Sequence, residues 1–330
     1  MALLDFEHWN RETNLSLSNW LSWNSGTAAV SANGQGPFGY GRYCIGGVAR
    51  YSAFGLTNEL IANFHFFYTG LPGSNTQIWA FKQATSDQAG LQVSPTGTIR
   101  ITRGASTLVA ETTSFTLSTN AWHYIQIRMN LQTSGSYELR INGKTIISGS
   151  GNLQALASPG SDGWTFPWSY RIANLIIYST AGADPNTFTP ETRIYADLAD
   201  ADGAASGWTR SGGSANFDRI NEQPNNGDTS YNSAGSAVLD DLYAFPSSIP
   251  GGSTVYGVAN EIVCRKDDAG TNDVQCLIRS GGTTYADGVS KALSTSYQRF
   301  RHVWTTDPAT GLAWTVTNAN AAQVGIRRSA

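Results

Sequence analysis

Four aromatic side chains stand two residues apart in DGWTFPWSY (162–170): Trp164, Phe166, Trp168 and Tyr170. In an extended chain that spacing sends all four to one side. Exposed, such a row is a platform on which sugar rings stack. Buried, it is core, because aromatics carry the largest apolar area of any side chain. Pro167 cannot donate to a ladder and demotes the run to an edge strand or loop. Packing is the favoured reading, with a glycan or partner contact as the alternative.

The groups that usually do chemistry do not converge along the chain. His8, His65, His123 and His302 are scattered, with no H-E-x-x-H spacing and no close cysteine, so no metal site is expected. Jelly-roll glycosidases set two carboxylates on one strand face, whereas Glu59, Glu111, Glu138 and Glu191 are isolated. A G-x-S-x-G elbow is absent. Asp197, Asp200 and Asp202 gather in DLADADG, but the further ligands of a calcium loop are missing, which favours a plain Asp-Gly turn. No catalytic residue, cofactor or metal is expected, and the chain reads as a non-enzyme.

Three cysteines argue against a disulfide framework. Cys264 and Cys276 flank RKDDAGTNDVQ, and a hairpin centred on Gly270 would set them opposite one another. Two buried free thiols are favoured over a cross-strand disulfide. Cys44 has no obvious partner.

The elements that must position these residues read as strands. AWHYIQIRMNLQTSGSYELRINGKTI (121–146) alternates with a period of two: Ile125, Ile127, Met129 and Leu131 on one face, Tyr124, Gln126, Arg128 and Asn130 on the other. Asn142-Gly143 suits a type I′ turn, which places Ile141 opposite Lys144 and Leu139 opposite Ile146. One face of this meander is expected to be dry and the other wet.

Similar segments, ELIANFHFFYTG, TQIWAFKQ, GLQVSP, GTIRITRG, STLVAETTSF and YRIANLIIYST, recur at sandwich-like spacing, while NGQGPFGYGRYC (33–44) reads as a loop. AGADPNTFTPET (181–192) has two prolines and no alternation, and marks a junction. A Gly/Ser/Asn-rich stretch (203–236) reads as an irregular arm packed on a sheet through Trp208, Phe217, Ile220 and Tyr231. AVLDDLYAF, VYGVANEIVCRK, DVQCLIRS, QRFRHVWTT and LAWTVTNANAAQVGIR then read as further strands.

The 330 residues hold 35 Gly, 10 Trp, 14 Tyr and 13 Phe but only 14% charged side chains, the composition of an all-β protein. The expected architecture is two β-sandwich or jelly-roll domains in tandem: 1–180, a linker at 181–190, and 191–330. A net charge of −3 gives no footprint for nucleic acid or an anionic membrane. The N-terminal MALLDFEHWNRET has neither the basic start nor the apolar run of a secretory signal.

Trp122, Ile125, Ile127, Tyr137, Leu139, Ile141, Asn142 and Gly143 together resemble the signature of laminin-G/concanavalin-A-like jelly rolls, over roughly 1–180. Asp202-Gly203, Trp208 to Gly213, Glu222 to Tyr231, Asp241 to Phe245 and Asp307 to Gly311 resemble a passage that recurs in structural proteins of tailed bacteriophages, over about 188–328. That resemblance implies a virion component made in the host cytoplasm: a decoration or accessory protein on head or tail. Its partners would be capsid or tail proteins and copies of itself, with neither nucleic acid nor membrane. The alternative is a tail-associated adhesin that binds a host surface glycan through the first jelly roll.

Overall fold

A computed structural model describes residues 3–7, 29–30, 44–45, 48–50, 54–113, 115–166, 170–181, 186–222, 227–235 and 237–329. The chain is all-β, and it divides into two compact units with the boundary between Ile194 and Tyr195. Most of the loop reading at 33–44, together with Trp168 and His8, lies outside the described residues. Among the described residues no helix is long and apolar enough to cross a membrane.

The first unit holds β1 (Leu3–Glu7), β2 (Ala29–Val30), β3 (Cys44–Ile45), β4 (Val48–Arg50), β5 (Glu59–Tyr68), β6 (Thr76–Gln83) and β7 (Ser86–Val93). It continues through β8 (Ile99–Arg103), β9 (Thr107–Glu111), β10 (Ala121–Asn130), β11 (Gly135–Ile141), β12 (Lys144–Gly151), β13 (Gly163–Phe166) and β14 (Arg171–Ser179). An eight-stranded sheet runs β12-β11-β10-β5-β14-β3-β2, with β1 also on β14, and a six-stranded sheet runs β4-β13-β6-β7-β8-β9.

The core lies between these sheets, and the period of two puts it there. Leu60, Ala62, Phe64 and Phe66 of β5 and Ile125, Ile127 and Met129 of β10 meet Trp79, Phe81, Leu91, Ile101 and Trp164 of the facing sheet. The Leu, Ile, Phe and Met side chains among them each contribute about 1.5–3 kcal/mol by leaving water. Asn142 (φ 52) and Gly143 (φ 78) both take the positive φ that a type I′ turn requires. Ile141 pairs with Lys144 as expected. An irregularity then shifts the register, so that Leu139 pairs with Ile147 rather than Ile146.

Two expectations fail here. The outer face of β5 and β10 is not wet: Asn63, His65, Tyr124 and Gln126 are buried. The segment read as a linker is what covers them. Residues 186–194 belong to the first unit and cross its larger sheet as a strap. A junction-like composition does not reveal that its hydroxyls and carbonyls have partners waiting on a sheet.

The second unit holds β15 (Ala201–Ser206), β16 (Thr209–Arg210), β17 (Asn232–Ser233), β18 (Leu239–Ala244), β19 (Val258–Cys264) and β20 (Asp273–Ser280). After these come β21 (Thr283–Ala286), β22 (Lys291–Ala292), β23 (Gln298–Trp304), α1 (Val316–Ala321) and β24 (Gln323–Arg328). A six-stranded sheet runs β15-β18-β24-β20-β21, with β22 on β20, and the separate pair β19-β23 shares a small core with it. That core is built from Cys276, Ile278, Trp304, Trp314 and Ala322. The buried Trp314 indole is satisfied by donating to the Trp304 carbonyl at 2.7 Å.

The expected β19–β20 hairpin does not form, since β19 pairs with β23 and Cys264 lies opposite Gln298. Part of the stretch expected to be a single strand at 312–327 is instead helical. Thr315 caps α1 by accepting from the Asn318 amide at 3.1 Å.

Candidate functional site

Trp164 and Phe166 of the aromatic row do not form an exposed platform. Trp164 and Phe166 are 0% and 2% exposed. Trp164 stacks on Trp79 (centroids 5.9 Å apart, 16° between planes) and Phe166 packs edge-on to Phe64 at 5.0 Å. Their strand is not at an edge either: β13 pairs with both β4 and β6 and ends at Phe166, before Pro167. Tyr170 rests against Phe66 at 5.0 Å and lines a shallow open depression with Thr69, Gly70, Leu71, Pro72, Ser74 and Thr76.

Beneath the strap lies a dense polar network. Gln126 Nε2 donates to the Thr189 carbonyl (2.8 Å), and the Tyr178 hydroxyl donates to the Thr187 carbonyl (2.9 Å). Asn63 Nδ2 donates to Thr189 Oγ1 (2.9 Å), and the Thr192 amide donates to the Tyr124 hydroxyl (3.2 Å). Burial pushes the Tyr124 hydroxyl up to about 12, so it stays protonated and can donate. The guanidinium of Arg140 sits 4.3 Å from the centroid of the Phe188 ring.

His65 Nε2 lies 2.8 Å from Glu191 Oε1, and its Nδ1 lies 3.4 Å from Asn174 Nδ2. Asn174 reaches inward from a left-handed residue (φ 51) where the β5–β14 register shifts. Burial lowers the His65 pKa against the opposing pull of Glu191. With both ring nitrogens occupied and the ring buried, His65 is a fastening rather than a base for substrate. Glu191 is thus not isolated, but its partner stands 126 positions away, beyond what local spacing can reveal.

A Cys–Asp–His constellation does assemble in the second unit. The Asp287 side chain is 0% exposed, hydrogen-bonds Lys291 and lies 3.8 Å from His302 Nδ1. Burial pushes the neighbouring Cys276 thiol up to about 12. Burial and the nearby Cys276 do the same to Cys264. Nucleophilic cysteines need the opposite shift. Both thiols are free.

The arm is seated mainly by polar groups; of the apolar side chains expected to anchor it, Trp208 and Phe217 are half-buried. Ile220 and Tyr231 are exposed. Asp241, 0% exposed, accepts from Asn216 Nδ2 at 3.0 and 3.1 Å, from Asn232 Nδ2 at 3.4 Å and from the Tyr243 hydroxyl. Asp202 accepts from the amides of Asn216 (3.2 Å) and Phe217 (2.7 Å). Burial pushes the Asp241 carboxyl up to about 6, and Asp202 adds to the rise. Farther along the arm, Asp228 accepts from the Tyr297 hydroxyl (2.7 Å) and Arg265 Nη2 (2.9 Å), which together hold it below the usual carboxylate range. Asp197, Asp200 and Asp202 do not form a metal site: among the described residues no three His, Cys, Asp or Glu side chains converge for a metal.

No family model matches this chain, and no curated protein does. Among solved structures it is similar to a sialidase of Trypanosoma rangeli, 15% identical over 36% of this chain and 20% of that one, with a TM-score of 0.29. It is also similar to domain 4 of an extracellular arabinanase of Geobacillus stearothermophilus, in complex with arabinotriose (14% identical, 54% of this chain and 92% of that one, TM-score 0.39). A third is an endo-β-1,4-glucuronan lyase of the fungus Trichoderma reesei (9% identical, 54% and 95%, TM-score 0.41). The chain thus spans about a fifth of the sialidase. Likenesses this low carry no argument about activity or ligand.

Proposed function

We propose that this protein is a non-enzymatic structural component of a tailed-phage virion, a decoration or accessory protein on head or tail that works by surface contact. One observation carries the reading. The residues that resemble the phage passage, Asp202, Asp228, Asp241 and Tyr243, are spent on fastening an irregular arm to a sheet. A recurring phrase of that kind specifies an architecture, not a reaction. The polar constellations elsewhere support the same reading: His65 has no free nitrogen, and Cys276 is held protonated.

Its partners are copies of itself and other particle proteins, and a symmetric lattice makes weak contacts durable by repeating them. Mass spectrometry of particles purified through high salt should find the protein at fixed stoichiometry. Its absence from particles, together with depolymerisation of a polysaccharide, would overturn the proposal.

The depression beside Tyr170 supports a second reading, a tail-associated adhesin. Thr69, Ser74 and Thr76 line it together with the Tyr170 ring. Glycan binding abolished by Tyr170→Ala, with the fold intact, would favour that reading over the first.

A further inference from the structure

Gly212 and Gly213 turn the arm with positive φ angles (146 and 74), and the second of them touches two arginines. A Cβ on Gly213 would lie 2.8, 2.9 and 3.0 Å from Nη2, Cζ and Nε of Arg219. Three near-equal distances mean that the guanidinium lies flat against the glycine, in space that any side chain would fill. The Gly213 carbonyl accepts from Arg210 Nε at 3.1 Å. Two permanent positive charges thus meet at one residue.

Neither charge is neutralised. Arg219 Nε is buried without an acceptor, while its Nη groups stay open to solvent and Arg210 is exposed. The acids of this stretch are engaged elsewhere: Asp218 Oδ2 accepts from Ser214 Oγ at 3.1 Å, and Asp202 accepts from the Asn216 and Phe217 amides. Among the described residues no carboxylate forms an ion pair with Arg210 or Arg219. Other arginines of the second unit do pair, Arg265 with Asp228 and Arg327 with Asp240. A guanidinium seated on a glycine has already lost much of the freedom that binding would cost it. Its planar fork then offers paired N–H groups to the oxygens of an anion.

We infer that Gly213 marks an oxyanion site, at which Arg219 and Arg210 together take a tetrahedral dianion, a phosphate or sulfate group, in preference to a carboxylate. One guanidinium stands at the Cα of Gly213 and the other at its carbonyl. Cations on two sides suit an anion with oxygens on several sides, whereas a carboxylate presents both of its oxygens along one edge. The inference concerns the arm alone and does not depend on the virion reading.

Nuclear magnetic resonance of the full chain, labelled with nitrogen-15 in its arginines, tests it. The protein is titrated at neutral pH with sodium phosphate, sodium sulfate and sodium acetate, with sodium chloride holding the ionic strength constant. The Nε–H signals of Arg219 and Arg210 should shift together and saturate, with half-saturation at about 1 mM for phosphate or sulfate. The order of those two salts tells which tetrahedral group the site takes, and acetate should need at least about tenfold more. Arg210→Met should raise the half-saturation read at Arg219 at least about tenfold, the loss of one charged hydrogen-bonding partner. Gly213→Ala should raise it too, because its methyl displaces the guanidinium. An Arg219 signal that responds no more than in the chloride control would overturn the site. So would acetate as effective as sulfate, or an unchanged half-saturation in Arg210→Met. The wild-type titration decides the matter even if Gly213→Ala fails to fold, and no outcome bears on whether the protein is found in particles.

Discussion

Trp164→Ala separates packing from recognition in the first unit. The indole is fully buried between Trp79 and Phe166. A tryptophan buries about 200 Å², worth about 5 kcal/mol at about 25 cal/mol per Å². Truncations of buried aromatics to alanine fall at about 3–5 kcal/mol, and losing the stacked pair with Trp79 places this one in the upper part of that range. With a urea slope of about 2 kcal/mol per M, a loss of about 4 kcal/mol moves the midpoint down by about 2 M. Two units need not unfold together, so the relevant transition is the one that Leu139→Ala, in the same core, also shifts. The assay is urea unfolding of the full chain followed by near-ultraviolet circular dichroism. An unchanged midpoint would refute the packing assignment, and lost glycan binding alongside it would restore the platform reading.

Leu139 is fully buried, so Leu139→Ala should cost about 2–5 kcal/mol; a surface-like change within about 0.5 kcal/mol would mean the faces of β11 are reversed. A chain ending at residue 194 should be recovered folded and one ending at 181 should not, because the latter strips the partners from Asn63, Gln126 and Tyr124; equal thermal stability of the two would refute the strap's role. Burial sets the His65 pKa below its ordinary 6.5. Between that lowered value and 6.5 the unfolded chain binds a proton that the folded one does not, so the first unit should lose stability as pH falls through this window. His65→Gln should remove that slope from the unfolding profile, and an unaltered slope would count against the assignment. A Cβ on Gly135 would lie 1.8 Å from the Asn130 carbonyl oxygen, so Gly135→Ala should destabilise by about 1–3 kcal/mol, and a neutral result in thermal melts would contradict that close approach.

Alternation alone determined much of this protein. Ile125, Ile127 and Met129 had to share a face whatever they met, because successive side chains on a strand point opposite ways. Asn142-Gly143 had to turn, because few other pairs accept two positive φ angles. All-β class followed from such segments repeated between turn formers. Tertiary structure decided what lay on the far side of each face. The alternation of Tyr124 and Gln126 reads as a wet face, but the strap at 186–194 buries it, and a polar side chain looks the same in sequence whether water or a carbonyl satisfies it. Trp164 and Phe166 make the converse case: their spacing fixed a common side, and only the opposing sheet, with Trp79 and Phe64, made that side the core. The fastenings escaped the sequence for one reason. His65 and Glu191, Asn216 and Asp241, and Arg265 and Asp228 are joined by the fold across 126, 25 and 37 positions, and no local spacing encodes such a contact.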